Sequence, residues 1–239
     1  MQRRHELNFV GRFPQAQPSS ALAKPARRRS LYGASRGPGL GRSPKLPFAP
    51  PEDWHEPTDE RNGYRIIEQP AGAGYRHVLT ADDVRARLAQ LPAAFCRDLQ
   101  IVQFSRMTRK KHRFPCYGMQ WGTALYLYPI EESLVERYGR PPRPTQITEA
   151  AMYGGRWVQE SHDSWRLEWT EAAIRDFYLN NILIHELGHL VDTRNNGYRD
   201  RERFAEWFAI EYGYRASRRL APRLAGPPRR RHKASRRLA

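Results

Sequence analysis

The chain has 239 residues, 39% of them hydrophobic and 28% charged, enough for one folded core with chain left over. Its net charge of +16 sits at the ends: residues 1–48 hold ten Lys/Arg and one acid, residues 215–239 hold ten and none, and 49–214 carries −3. No run of about 18 apolar residues occurs, and the apolar stretch near Phe9-Val10 is too short for a signal-peptide core, so a membrane span is excluded and a soluble, cytoplasmic protein is expected.

Residues 1–50 are rich in Pro, Gly, Ser and Arg and bury too little apolar surface to offset chain entropy, so they read as a disordered basic extension. A helix is expected from Ala81 to Ala89, with Thr80 as cap, Asp82 and Asp83 in its first turn and Pro92 beyond its end. Leu99 to Phe104 reads as a strand. Arg109-Lys110-Lys111-His112-Arg113 reads as a solvated basic turn, and Tyr117 to Tyr128 as a second strand covered on both faces. Cys96 and Cys116, with nineteen residues between them, fit no zinc ribbon or redox motif and read as buried free thiols.

Pro141, Pro142 and Pro144 mark a loop. Trp157 to Glu160 and Trp165 to Trp169 flank the polar turn Ser161-His162-Asp163-Ser164, which predicts a hairpin. Thr170 then caps a long helical pattern from Glu171 to about Thr193, and Asn195-Asn196-Gly197 is a stop signal. Asp200 is the expected cap of a further helix, about Arg201 to Tyr214, with Phe204, Phe208 and Tyr212 along one face. The tail from 217 again reads as disordered and basic. One folded unit, 51–216, is left between the extensions.

The long helical pattern contains His185-Glu186-Leu187-Gly188-His189. Residues four apart on an α-helix share a face, so both imidazoles can reach one metal ion, with Glu186 placed to take a proton from water. A shuffled chain of this composition would hold the pattern roughly 0.02 times, so chance is a weak account of it. A catalytic zinc needs a third protein ligand. Leu190 to Asn195 offers no third histidine, but the next helix carries Glu202 and Glu206 on one face. One of these carboxylates can bind the ion and the other can support a ligand imidazole.

This arrangement resembles the gluzincins, the zinc metallopeptidases typified by thermolysin. The stretch Glu202-Arg203-Phe204-Ala205-Glu206-Trp207-Phe208 is especially similar to the corresponding helix of anthrax lethal factor-type peptidases. The resemblance covers His185 to Glu206. It implies an α+β, zincin-like domain in which a mixed or antiparallel sheet packs on the active-site helix. It implies Zn2+ held by His185, His189 and Glu202, with Glu186 as general base and Glu206 as supporting acid. Asp192, three residues after His189, matches a common extension of the motif and is a further supporting residue or substitute ligand. Only twelve residues separate His189 from Glu202, shorter than usual in the family, so simple antiparallel folding would instead bring Glu206 level with His189.

The expected activity is hydrolysis of internal peptide bonds in a polypeptide substrate. Tyr198 and His162 are candidate donors to a developing oxyanion. By the same resemblance, the Trp157–Trp169 hairpin is where an extended substrate would pair. The basic tails suit weak, sequence-independent contact with nucleic acid. Two other readings compete. One is a nucleic-acid-associated regulatory protein with a zincin-like domain, and the other is a peptidase that acts on a single protein partner.

Overall fold

The computed structural model describes residues 51, 53–59, 63–109, 111 and 116–220. The extensions 1–50 and 221–239, expected to be disordered, lie outside these residues. The described part is mixed, with helices and three small sheets, and is of the α+β kind. Among the described residues no helix is long and apolar enough to cross a membrane.

Strands β1 (Arg65–Glu68), β3 (Ile101–Phe104) and β5 (Ala124–Leu127) run parallel, and β4 (Gly118–Trp121) closes one edge antiparallel to β5. The order across this sheet is β1-β3-β5-β4. Strand β2 (Tyr75–Arg76) pairs with β6 (Ile130–Glu131). A third, antiparallel sheet has the order β7-β9-β8, from Val135–Tyr138, Ser164–Glu168 and Arg156–Ser161.

The helix α1 (Ala81–Ala89) forms where Thr80 caps it: its hydroxyl accepts from Asp83 N, and the Asp83 carboxylate accepts from Thr80 N. The stretch from Tyr117 to Tyr128, expected as one strand, is a hairpin. Gly122, at φ +58°, supplies the left-handed turn between β4 and β5. Every residue of β5 is buried. Leu125 and Leu127 face the helices, while Ala124 and Tyr126 face a second cluster covered by the segment that carries His55. There the His55 N–H donates to Tyr126 Oη.

Helix α2 (Pro144–Met152) occupies a stretch expected as loop, because proline is favoured at a first helical position. Helix α3 (Glu171–Phe177), capped by Thr170, runs through a π-helical stretch (Tyr178–Ile182) into α4 (Leu183–Val191). The final helix starts at α5 (Tyr198–Phe208), passes through a second π stretch (Ala209–Arg215) and ends in α6 (Ala216–Leu220). It is capped at Gly197, so Asp200 lies inside its first turn instead of before it. It also continues past 216, where Arg218 pairs with Asp176 at 2.7 Å.

The core lies between the sheet and these two long helices. Val102, Phe104, Leu125 and Leu127 pack on Ile182, Leu183, Leu187 and Phe208. Each such side chain contributes about 1.5–3 kcal/mol on burial. This apolar contact fixes the face that α4 turns toward the sheet, and with it the direction of the histidines.

Candidate metal centre

His185 and His189 lie one turn apart on α4, with ring centroids 4.7 Å apart. Glu202 on α5 sits between them. Its Oε2 is 3.7 Å from His185 Nε2, and its Oε1 is 3.6 Å from His189 Nε2. Both separations exceed a hydrogen bond. Ligand atoms about 2.0–2.2 Å from one tetrahedral ion stand roughly 3.4 Å apart, within a few tenths of what is seen. One ligand atom from each of the three residues lies within 4.8 Å of the others.

The helices can come this close because the residues between them are small. A Cβ on Gly188 would lie 3.0 Å from Ala205 Cα. The loop joining the helices is gathered by Asp192, whose Oδ1 accepts from the backbone N–H groups of Arg194 and Asn195. Arg201 donates to the His189 carbonyl at 3.1 Å and to Gln120 Oε1 on β4 at 3.3 Å.

The chemistry of these donors suits a cation. Burial holds both imidazoles far below their ordinary range, at about 3, so they are neutral at neutral pH; for His189 the neighbouring His185 adds to the effect. His185 is 1% exposed, and neither of its ring nitrogens has a hydrogen-bond partner among the described residues. Two neutral, buried imidazoles facing a buried carboxylate form a donor set of the kind a divalent ion takes.

Glu186 points to the side, against the sheet. It is 4% exposed, and its carboxyl is pushed up to about 8. Burial is the main cause and the charge of Glu202 adds to it, while a backbone hydrogen bond from Gln120 and the charge of Lys111 oppose it. Its place depends on Gly118. A Cβ there would fall 2.7 Å from Ile182 Cγ2 and 2.9 Å from Glu186 Cγ. The motif glutamate therefore rests on β4, an edge strand.

Glu206 lies one turn beyond Glu202. Its Oε1 is buried and has no hydrogen-bond partner among the described residues, and burial together with Glu202 pushes its carboxyl up to about 7. Beyond it stands Glu149 of α2, which the sequence reading did not single out. Glu149 is 4% exposed and accepts from Asn181 Nδ2 at 2.6 Å. Burial and then the charge of Glu206 push it up to about 8, against the lowering effect of Asn181.

The ordinary value for such a carboxyl is 4.5. Between about pH 4.5 and 8 the folded protein thus holds a proton that the unfolded chain has released. Stability must fall as pH rises through that window, by up to about 1.4 kcal/mol per pH unit for one such group. Glu149→Gln keeps the acceptor for Asn181 and removes the titration. The melting temperature of the metal-free variant should therefore decline less between pH 5 and 8 than that of the parent. Parallel declines would show that Glu149 does not bind that proton.

Tyr198 and His162 are exposed, unlike this buried group. Tyr198 opens α5 and is 41% exposed. His162 is exposed at the tip of the β8–β9 hairpin, with its Nδ1 2.7 Å from Asp163. That hairpin belongs to the third sheet and packs on α2, whereas the strand seated on the helix of the histidines is β4. Lys111, expected in a solvated turn, is buried. Its ammonium lies over the Tyr128 ring and 3.0 Å from Cys116 Sγ, where the flat ring face and the sulfur replace water. Cys96 and Cys116 are half-buried, and neither is in a disulfide.

No family model, no curated protein and no solved structure matches the chain.

Proposed function

We propose that the chain is a zinc-dependent metallopeptidase with a zincin-like arrangement, in which Glu186 is the general base. The observation that carries this reading is the convergence of His185 Nε2, His189 Nε2 and both Glu202 oxygens, with Glu186 next to His185 on the same helix and packed against an edge strand. His185, His189 and Glu202 would hold the ion. When bound there, zinc supplies a Lewis acid that polarises a carbonyl and makes water acidic enough to attack near neutral pH.

The protein's own part is positioning and proton transfer. Ionised, as the charge of an ion held by the trio would favour, Glu186 takes the proton of the attacking water and hands it to the leaving amine as the peptide bond breaks. Its burial against Gly118 keeps bulk water from competing for that proton. Among the described residues β4 is an edge strand, to which an extended polypeptide can add as a further strand, giving affinity with little dependence on side chains. This favours cleavage within a chain over removal of terminal residues.

A denatured polypeptide should be cut by the purified protein. Cutting should stop when a chelator strips the metal and resume with one equivalent of zinc. Cleavage indifferent to the chelator, or no cleavage by the zinc-loaded protein, would contradict the reading.

A further inference from the structure

The two ligand-bearing helices share an irregularity away from the site. Each contains a π-helical stretch, Tyr178–Ile182 in one and Ala209–Arg215 in the other. Each extra residue wound into a helix turns everything after it by about 100°. The π stretch before Leu183 therefore sets which way His185 and His189 point, relative to the core face formed by Ile174 and Phe177. Single-turn π stretches of this sort are frequent at functional sites.

The two π stretches meet. A Cβ on Gly213 would fall 1.9 Å from the Asn180 carbonyl oxygen, so only glycine allows the backbones to approach this closely. Arg87 of α1 spans the meeting point. It is 6% exposed, and its Nε donates to Asn180 Oδ1 at 2.7 Å on one helix. Its Nη2 donates to the Tyr212 carbonyl on the other. Asn180 is held on its remaining sides as well. Its Nδ2 donates to Asp176 at 2.7 Å, and its carbonyl accepts from Tyr153 Oη at 3.0 Å. A planar guanidinium with donors in a fixed fork imposes both distance and direction on the two acceptors.

We propose that Arg87, with Asn180 and Gly213, is a register clamp that sets the rotation and spacing of the His helix against the Glu helix, and that Arg87 is a positioning residue for the metal centre. The inference rests on the metal-binding reading of His185, His189 and Glu202. The ligand trio lies between two tethers, this clamp at one end and the loop gathered by Asp192 at the other. Releasing the clamp frees the two helices to rotate or slide, and Glu202 then no longer faces both imidazoles.

The test uses the full chain and compares the parent with Arg87→Met, Arg87→Lys and Asn180→Ala. Zinc affinity is measured by competition with a chromogenic chelator. The visible spectrum of the cobalt(II)-loaded protein reports coordination number, and far-ultraviolet circular dichroism of the metal-free forms reports folding. Arg87→Met should stay helical but bind zinc at least about tenfold more weakly, the scale of losing an outer partner of a metal site. It should also show weaker cobalt bands, and Arg87→Lys should recover part of both losses. Should Arg87→Met fail to fold, Asn180→Ala carries the same two expectations.

Variants with lowered melting temperature but parental zinc affinity and cobalt spectrum would overturn the clamp and leave the metal site standing. A parent that takes up no metal would overturn the metal reading itself and the clamp with it.

Discussion

Replacing Glu186 with glutamine should leave metal binding intact and lower peptide cleavage by about 10²–10⁴-fold, the range a positioned general base contributes. Glutamine has nearly the same shape, so it can rest against Gly118 and keep an oxygen for the Gln120 backbone. It adds no bulk near the ligand trio, because the side chain points toward β4. What it loses is the capacity to accept a proton. Zinc content and cleavage rate, measured on the same preparation, separate the two roles. Equal cleavage by both forms would refute the assignment of Glu186, and a glutamine form without zinc would show that Glu186 shapes the site instead of acting in the reaction.

Glu202→Gln should weaken zinc binding far more than Glu206→Gln. Glu202 presents one oxygen to each imidazole at 3.6–3.7 Å and, among the described residues, is the only carboxylate grouped with both. Losing it leaves two neutral nitrogens, too few to hold a catalytic zinc. Glu206 acts at a remove: its charge bears on Glu202, and one of its oxygens is buried without a partner among the described residues. Its replacement belongs in the about 10–100-fold range of outer partners. Competition with a chelator of known affinity ranks the two. If Glu206→Gln were the more damaging, the ligand would be Glu206, and the helices would sit about one turn from where they are placed.

The parts of this arrangement legible in the sequence are those carried by short-range spacing. Thr80 and Thr170 announced their helices because a cap needs only the next three residues. The histidine pair is legible for the same reason, since four residues along a helix is a local rule. The β8–β9 hairpin showed through its polar turn. Local rules also misled. Three prolines mask α2, although Pro144 is its first residue, and Gly122 breaks β4 from β5 within a stretch whose apolar pattern reads as one strand.

What lay beyond the sequence depends on how separate elements dock. Gly118 matters because Glu186 packs on it, and Glu149 because α2 brings it to Asn181. The choice between Glu202 and Glu206 depends on the rotation of two helices whose π stretches leave no mark in hydrophobic periodicity. Lys111 looked like one of several solvated charges, and only the fold places it over Tyr128.

The most direct measurement is the zinc content of the purified chain beside that of His185→Ala. The account predicts one zinc per chain in the parent and far less in the variant, with both forms folded. A parent holding far less than one zinc, unchanged by the loss of His185, would contradict it.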